Sequence, residues 1–547
     1  MRNGLSADLI ARVLGAAPAY TIAELEAKYP ARNLPAEAMV TRFAPSPTGF
    51  FHTGNLYPAL VDKKLAQQSN GIFYLRIEDT DTEREVPGAV DIVVNSLAKF
   101  GLNVDEGMVG ENKEIGDYGP YTQSKRKDVY HSVVAELLAD GRAYPCFLSA
   151  DEINEIREAQ SKNKIRPGIY AEFARDRNLS NDEIIAKLDM GIVPTIRLYS
   201  PGDANKKVYC KEAIRGSVEF PENIDDAVLI KSNDGLPTYH FAHLCDDHFM
   251  RTTHVFRDVS WLPSLPLHVQ MFNMMGWELP IYFHHATIDV LDEETGGRRK
   301  LSKRKDRAAG VDNLLADGWA PESVIEYLFN IVASGYEEAK LKGQVNSPWE
   351  YTLNVKRLPA SGALFDMKKL EWWAREFVAT LSAEELSGRI TNWVNEYGTE
   401  NQKSEIRNQK YLIDILAIER DGVELKKRRK DFITWSQTLE QIEFFFDDVF
   451  TKREMRNAKC ENNNTHLASR ISVLEDFLCS YDSKDQKDIW WGKIVKIAEA
   501  HGIKNGDVAM ALRVALTGRT MAPDLYSVMQ VMGESRVKER IAAQIGE

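Results

Sequence analysis

Met39-Val-Thr-Arg-Phe-Ala-Pro-Ser-Pro-Thr-Gly-Phe-Phe-His-Thr-Gly-Asn55 is the stretch from which the architecture of this chain can be read. Met39 to Ala44 forms a short apolar strand, and Pro45 to Gly49 is a turn-rich loop. His52-Thr-Gly-Asn55 then leads into an apolar helix from about Leu56 to Gln68. Gly71-Ile-Phe-Tyr-Leu-Arg-Ile77 reads as a second strand, with Glu78-Asp-Thr-Asp81 at its end. Strand, loop, helix, strand is a βαβ unit. Such units build parallel sheets whose ligands lie beyond the carboxyl ends of the strands. The loop at 45–55 and the acidic end at 78–81 both fall there.

Two constellations carry chemistry. In the first, Gly49 and Gly54 let backbone approach a ligand closely. His52 precedes a helix whose N-terminus favours anions, so it can donate to a phosphate without acting as a base. Standing alone, this would be an ordinary glycine-rich turn with a solvated histidine. The second is Arg298-Arg-Lys-Leu-Ser-Lys-Arg-Lys305, which follows Gly296-Gly297 and reads as a mobile basic loop. It would by itself be a solvated charge run. In this order, with His52 and Lys300 separated by 248 positions, the two resemble the HIGH and KMSKS signatures of class I aminoacyl-tRNA synthetases. They read here as His52-Thr53-Gly54-Asn55 and Lys300-Leu301-Ser302-Lys303-Arg304. The resemblance implies an ATP site formed by His52, Gly54, Asn55, Lys300, Ser302 and Lys303, with His52, Lys300 and Lys303 catalytic and Mg²⁺ assisting. The chemistry agrees. Attack on the α-phosphate of ATP spreads negative charge over phosphate oxygens and needs fixed positive groups and backbone donors, not a covalent nucleophile.

Further stretches sharpen the resemblance. Thr41-Arg-Phe-Ala-Pro-Ser-Pro-Thr-Gly49, Leu75-Arg-Ile-Glu-Asp-Thr-Asp81, Ile214-Arg-Gly-Ser-Val218, Pro237-Thr-Tyr-His-Phe-Ala242, Asp246-Asp-His248 and Thr253-His-Val-Phe-Arg257 are similar to bacterial glutamyl-tRNA synthetases. So is Leu512-Arg-Val-Ala-Leu-Thr-Gly-Arg519 near the C-terminus. That family implies an α/β fold. A Rossmann-like parallel-sheet catalytic domain carries an inserted acceptor-binding domain, and all-α linking and anticodon-binding domains follow. Arg42, Tyr239 and Arg257 would surround the side-chain carboxylate of glutamate, a task that suits the two-pronged guanidinium. Glu78 and Ser46 would hold its α-amino group. The expected partners are tRNA(Glu) and L-glutamate, and a monomer is expected. Two departures bear on the site. Asp258-Val259-Ser260-Trp261 differs from the family's usual Gly and acidic residues after the arginine, near the ATP ribose and adenine. Cys146 stands alone where many relatives carry a zinc-binding pair, so no structural zinc is expected.

The remaining sequence is divided accordingly. Residues 1–38 form an appended helical extension with a capping box at Thr21 and Glu24. Residues 39–117 and 229–310 are the halves of the catalytic domain, and 118–228 the insert. Residues 311–380 make a linking domain that contacts the tRNA stem, and 381–547 a helical anticodon domain. A helix over 431–446 places Phe432, Trp435, Leu439, Ile442 and Phe446 on one face, read as core packing. The anticodon must be splayed and read on base edges or stacked; Arg513, Thr517 and Arg519 are candidates. The basic run Lys426–Lys430 reads equally as a tRNA-backbone contact or a solvated face. The net charge of -12 argues against RNA only globally, because RNA binding needs local basic surface. Five scattered cysteines without a C-x-x-C pair, no signal peptide and no long apolar run predict a cytoplasmic protein.

Alternatives are a non-discriminating enzyme that also charges tRNA(Gln), a glutaminyl-tRNA synthetase, and an enzyme that glutamylates a queuosine base. A non-catalytic tRNA-binding paralogue is the alternative from another class. Pro45-Ser-Pro-Thr-Gly49 and the helical C-terminus point away from the glutaminyl enzyme, residues 380–547 from the queuosine enzyme, and intact His52, Lys300 and Lys303 from the paralogue.

Overall fold

The computed structural model describes residues 4–81, 86–292, 294–301, 305–447, 450 and 467–546. The chain divides into two compact units, residues 1–312 with 325–366, and residues 313–324 with 367–547.

In the first unit, helices α1 (Ala7–Leu14) and α2 (Ile22–Lys28) begin at caps. Ser6 accepts from the N–H of Leu9, and Thr21 and Glu24 form the expected reciprocal box. The segment is docked along its length rather than simply appended. The N–H of Tyr20 donates to Ser132 Oγ at 3.1 Å. Arg32 donates twice to Glu106, at 2.7 and 2.9 Å, and lies 3.8 Å over the Tyr118 ring.

The first sheet contains β1 (Val40–Phe43), β2 (Ile72–Leu75), β3 (Glu106–Gly110) and β4 (Lys113–Ile115), in that order. β1, β2 and β3 run parallel and β4 antiparallel, with Arg42 opposite Tyr74. Helix α3 (Thr53–Gln68) connects β1 to β2, and α4 (Ala89–Lys99) connects β2 to β3. α3 starts earlier than its apolar run suggests. His52 is extended (φ -132°, ψ 165°), and its N–H donates to Asn55 Oδ1 at 3.3 Å, so the polar Thr-Gly-Asn stretch forms the first turn.

The insert opens with α5 (Lys127–Ala139), followed by β5 (Ala143–Cys146), α6 (Ala150–Lys162), α7 (Asn181–Asp189) and β6 (Thr195–Leu198). Its sheet closes with β9 (Val228–Ile230), paired antiparallel to β6 with Ile196 opposite Ile230. The intervening hairpin, β7 (Lys207–Glu212) and β8 (Gly216–Pro221), joins a different sheet, in the order β10-β11-β7-β8. The sequence boundary at 228/229 therefore falls inside β9, and the hairpin read as insert pairs with the later sheet that holds β10 and β11. Short apolar runs mark strands but do not name their partners.

The second half contains α8 (Tyr239–Phe249), β10 (His254–Asp258), α9 (Leu265–Met275) and β11 (Ile281–His285), with β10 and β11 parallel. The N–H of Thr253 donates to the Val40 carbonyl at 3.0 Å, seating β10 beside β1. The ends of β1, β2, β10 and β11 thus present the 45–52 loop, residues 77–81 and residues 258–261 together. The basic loop is an antiparallel arm, with β13 (Arg298–Lys300) against β12 (Ile288–Leu291), which also pairs with β14 (Ala363–Leu364).

The second unit is helical. Its core draws on α10 (Met367–Thr380), α11 (Ala383–Tyr397), α12 (Gln409–Ala417), α13 (Trp435–Ile442), α14 (Leu467–Ser480), α15 (Lys487–His501), α16 (Asn505–Thr517), α17 (Leu525–Met532) and α18 (Glu534–Ile545). The compact-unit boundary lies at 366/367, ahead of the 380/381 division read from the sequence. The helix expected over 431–446 is shorter, because Thr434 is extended and its hydroxyl caps Gln437, with a 3-10 turn at Glu443–Phe445. Phe432, Trp435, Leu439 and Ile442 are nonetheless buried, and Phe446 is partly buried against the same core. Among the described residues, no helix is long and apolar enough to cross a membrane.

Candidate active site

The loop after β1 and the start of α3 line a hollow of about 180 Å³ bounded by Pro45, Ser46, Thr48, Gly49, Phe50, Phe51, His52, Asn55 and Val93. Gly49 has φ +77°, a conformation that favours glycine. A Cβ at Gly54 would stand 2.9 Å from His52 Cε1 and Nδ1, so the glycine makes room for the imidazole. His52 pairs with Gly310 in an isolated bridge, and Thr53 Oγ1 donates to the Ala308 carbonyl at 2.9 Å. The segment following the basic arm is therefore fastened to the start of α3. Within the arm, Arg299 pairs with Asp292 and Asp306 at 2.9 and 2.6 Å. Lys300 is largely exposed and stands 3.3 Å from Asp258 Oδ2 at the end of β10. Burial pushes the Asp258 carboxyl up, but hydrogen bonds from Ser260 and the nearby Lys300 outweigh it and hold the carboxyl below its usual range. Ser302 and Lys303 lie outside the described residues.

Beside this hollow lies a buried cluster of charge. Arg42, on β1, donates to the Phe256 carbonyl at 3.4 Å and approaches Asp247 at 3.5 Å. Arg76 donates to Asp247 Oδ1 at 2.6 Å and to Glu78 Oε1 at 3.1 Å. Asp247 is also 2.8 Å from His243 Nδ1. Its burial would raise the carboxyl pKa, but Arg76, His243 and Arg42 hold it well below the usual range. Burial moves Glu78 the other way, above its usual range against the pull of Arg76 and Arg42. Next in the cluster, Asp246 accepts from Arg126 Nε at 2.6 Å, joining α8 to the insert's border. Arg42, Arg76, Arg126 and Arg257 thus share this region with the carboxyl groups of Asp62, Glu78, Asp246 and Asp247, and Arg42, Arg76 and Arg126 each have an aspartate partner among them.

Arg257 comes to this region from β10. Its Nε donates to His284 Nε2 at 3.0 Å, its Nη1 to Tyr239 Oη at 3.3 Å and its Nη2 to His268 Nδ1 at 3.2 Å. Tyr239 in turn packs on Trp261, with ring centroids 4.1 Å apart. Burial, followed by the neighbouring cation Arg257, pushes His240 down to about 4. Burial also lowers His243 to about 4 and His268 well below the usual imidazole value.

The structure thus gathers Arg42, Glu78, Tyr239 and Arg257 in one buried region, with Ser46 and His52 on the adjoining hollow. Sequence reading gave no role to Asp247, His243, His268, His284 or Asp258. Asp246-Asp-His248 and Leu75-Arg-Ile were visible as motifs, but which buried guanidinium meets which carboxylate is a tertiary fact. The three histidines carry no signal of their own.

The C-terminal candidates are anchored by contacts within the helical unit. Thr517 is buried at the end of α16, where its hydroxyl donates to the Arg513 carbonyl at 2.7 Å. Arg519 donates to the Gln441 carbonyl at 3.2 Å and pairs with Glu443 at 2.9 Å. Arg513 Nε is buried. In the 426–430 run, Arg428 donates to the carbonyls of Ala379, Thr380 and Leu381 at 3.1–3.3 Å, and Lys430 bonds Glu376 at 2.7 Å. Arg429 pairs with Asp431. Arg428 and Lys430 thus brace α10, Arg429 is held by Asp431, and the side chains of Lys426 and Lys427 are strongly exposed.

A parallel sheet with a histidine at a helix start and a basic arm at its carboxyl edge narrows the class of protein. Residues 38–372 match the family described as tRNA synthetases class I (E and Q), catalytic domain, and residues 379–545 match an anticodon binding domain. A glutamate–tRNA ligase of Clostridium perfringens (strain 13 / Type A) is 42% identical over 94% of this chain and 96% of its own length. One from Sorangium cellulosum is 38% identical, over 95% and 97%. The crystal structure of a glutamate–tRNA ligase from Elizabethkingia meningosepticum, in complex with its amino acid, superposes with TM-score 0.76 at 28% identity, covering 93% of this chain and 99% of that one. The chain belongs to the glutamate–tRNA ligase family of class I synthetases.

Proposed function

We infer that the protein is a glutamate–tRNA ligase, and that it activates L-glutamate with ATP and transfers it to the terminal ribose of tRNA(Glu). The observation that carries the amino-acid assignment is the buried Arg257 guanidinium, which donates to two imidazoles and the Tyr239 phenol rather than to a carboxylate. A buried charge without a full counter-charge is costly, and a carboxylate with fork geometry is the ligand that relieves it. The glutamate side-chain carboxylate sits between Arg42, Arg257 and the Tyr239 hydroxyl. Its α-amino group faces Glu78 and Ser46. Glu78 meets that ammonium as a carboxylate; binding the cation favours the ionised form that burial opposes.

ATP occupies the hollow at the start of α3. His52 and the first backbone N–H groups of the helix face its phosphates, with Gly54 giving the imidazole room and Asn55 fixing the turn. Lys300, Ser302 and Lys303 close from the arm. The glutamate α-carboxylate attacks the α-phosphorus, pyrophosphate leaves, and the cationic groups stabilise the spreading charge. Mg²⁺ would accompany the nucleotide and help offset its phosphate charge. The terminal ribose hydroxyl of tRNA then takes the glutamyl group from the adenylate. The protein works as a monomer in the cytoplasm.

Two measurements test this reading. Charging of purified tRNA with labelled glutamate is expected to exceed charging with glutamine, and a preference for glutamine overturns the amino-acid assignment. Lys303→Ala is expected to lower tRNA-dependent ATP–pyrophosphate exchange at least about tenfold, a loss of about 1.4 kcal/mol in the transition state. Unchanged exchange removes the phosphate role from that lysine.

A further inference from the structure

The partners of Arg257 differ in kind from those of its buried neighbours. Arg76 is paired with Asp247 and Arg126 with Asp246. Arg257 instead donates to two imidazole nitrogens and one phenol. Arginine can only donate, so His268 Nδ1 and His284 Nε2 must both be bare acceptors. The tautomers follow. His268 carries its proton on Nε2, which stands 3.0 Å from His240 Nδ1 and donates to it. His284 carries its proton on Nδ1, which faces Glu212 at 3.5 Å. Packing holds these rings in place. His268 lies 4.6 Å from His243 and 5.2 Å from His240 between centroids, and the Arg257 guanidinium lies 4.7 Å over the Tyr282 ring. Both His268 and His284 are fully buried.

We propose that His268 and His284 are positioning residues for glutamate selection: as neutral acceptors they fix the Arg257 fork without cancelling its charge, leaving that charge for the substrate's side-chain carboxylate. A carboxylate in either place would orient the guanidinium equally well. It would also compensate the cation in advance and weaken its hold on an anion relative to a neutral amide. The histidines thereby contribute to choosing glutamate over glutamine. The inference rests on the reading that Arg257 faces the substrate carboxylate.

The test compares His268→Asn, His268→Asp and His268→Leu in the full-length protein. Asn and Asp share a shape and offer an oxygen near the Nδ1 position, so the pair isolates charge from geometry. The readouts are KM for glutamate and KM for ATP in aminoacylation, with thermal unfolding as the check on folding. His268→Asn is expected to keep KM for glutamate within about threefold of wild type, while His268→Asp raises it about tenfold or more. His268→Leu, which removes the acceptor, is expected to raise KM for glutamate about tenfold, with KM for ATP within about twofold of wild type. If folded Asn and Asp variants give the same KM for glutamate, neutrality is irrelevant and the proposal falls. If the Asp variant does not fold, the Leu–Asn comparison decides, and a wild-type KM in His268→Leu overturns positioning. Arg257→Gln separates the two levels of argument. An unchanged KM for glutamate in that variant defeats the site reading itself. A raised KM with equal Asn and Asp variants defeats only the role of the histidines.

Discussion

Asp247→Asn probes the electrostatic centre of the catalytic unit while preserving side-chain shape. Asp247 Oδ1 stands 2.6 Å from Arg76 Nη1, and its Oδ2 stands 3.5 Å from Arg42 Nε and 2.8 Å from His243. At an effective dielectric of about 20, the Arg76 contact alone is worth about 6 kcal/mol of gross Coulomb energy. Desolvation of both ions offsets much of this, so the pair itself adds little net stability. Removing one partner is different, because it leaves buried guanidinium charge uncompensated, at about 3–5 kcal/mol. The variant should lower the free energy of unfolding of the first unit by that amount near pH 7. Urea unfolding, followed by tryptophan fluorescence and circular dichroism, measures it. A loss below about 1 kcal/mol would refute the claim that this carboxylate is the counter-ion of two buried arginines. In the wild-type protein the Asp247 pKa is depressed by folding, so its contribution is complete above the ordinary aspartate range and is lost as pH falls through the folded-state value, below about 4.

Other outcomes follow from the same geometry. Gly54→Ala adds a methyl group 2.9 Å from the His52 ring; it should cut ATP–pyrophosphate exchange at least about fivefold while leaving thermal stability unchanged or raised, since alanine favours helix by about 1 kcal/mol. A loss of stability without loss of exchange would contradict the role given to that glycine. His240, His243, His254 and His285 are each depressed to about 4 by burial. The unfolded chain therefore binds more protons between about pH 6.5 and 4, and stability should fall as pH drops through that window, by up to about 1.4 kcal/mol per pH unit for each histidine. Urea midpoints that stay flat from pH 7 to 4.5 would show that these rings are not held neutral. Arg428→Ala should destabilise the helical unit by about 1–3 kcal/mol by taking a donor from the carbonyls of Ala379 and Thr380 at the end of α10, whereas Lys426→Ala and Lys427→Ala should leave stability within about 0.5 kcal/mol. Equal effects at all three positions would overturn the division between bracing and solvated charge.

The sequence was legible where local rules act alone. Thr21 with Glu24, and the glycines of the 45–55 loop, declare their conformations within a few residues, and the order of the motifs named the architecture and the family. It was not legible where a strand chooses its neighbour. Val228–Ile230 and the 207–221 hairpin exchange the sheets assigned to them, because a three-residue apolar run fits either sheet and only long-range packing selects one. The Lys426–Lys430 run shows the same limit for charge. Composition could not separate Arg428, which caps a helix, from Lys426, which projects into solvent.

What the amino-acid order determined by itself was the set of chemical groups and their local carriers: a histidine at a helix start, lysines on a glycine-preceded arm, arginines near strand ends. Covalent neighbours and short-range hydrogen bonds suffice for that. The tertiary structure alone decided which buried guanidinium is neutralised by a carboxylate and which meets only imidazole and phenol. Arg76 and Arg257 are both arginines at the ends of parallel strands. They differ in what the fold packs against them, an aspartate 171 residues away for Arg76 and imidazole and phenol groups 11 to 27 residues away for Arg257, and in a low-dielectric interior those neighbours set whether a charge is already satisfied or still open to a ligand.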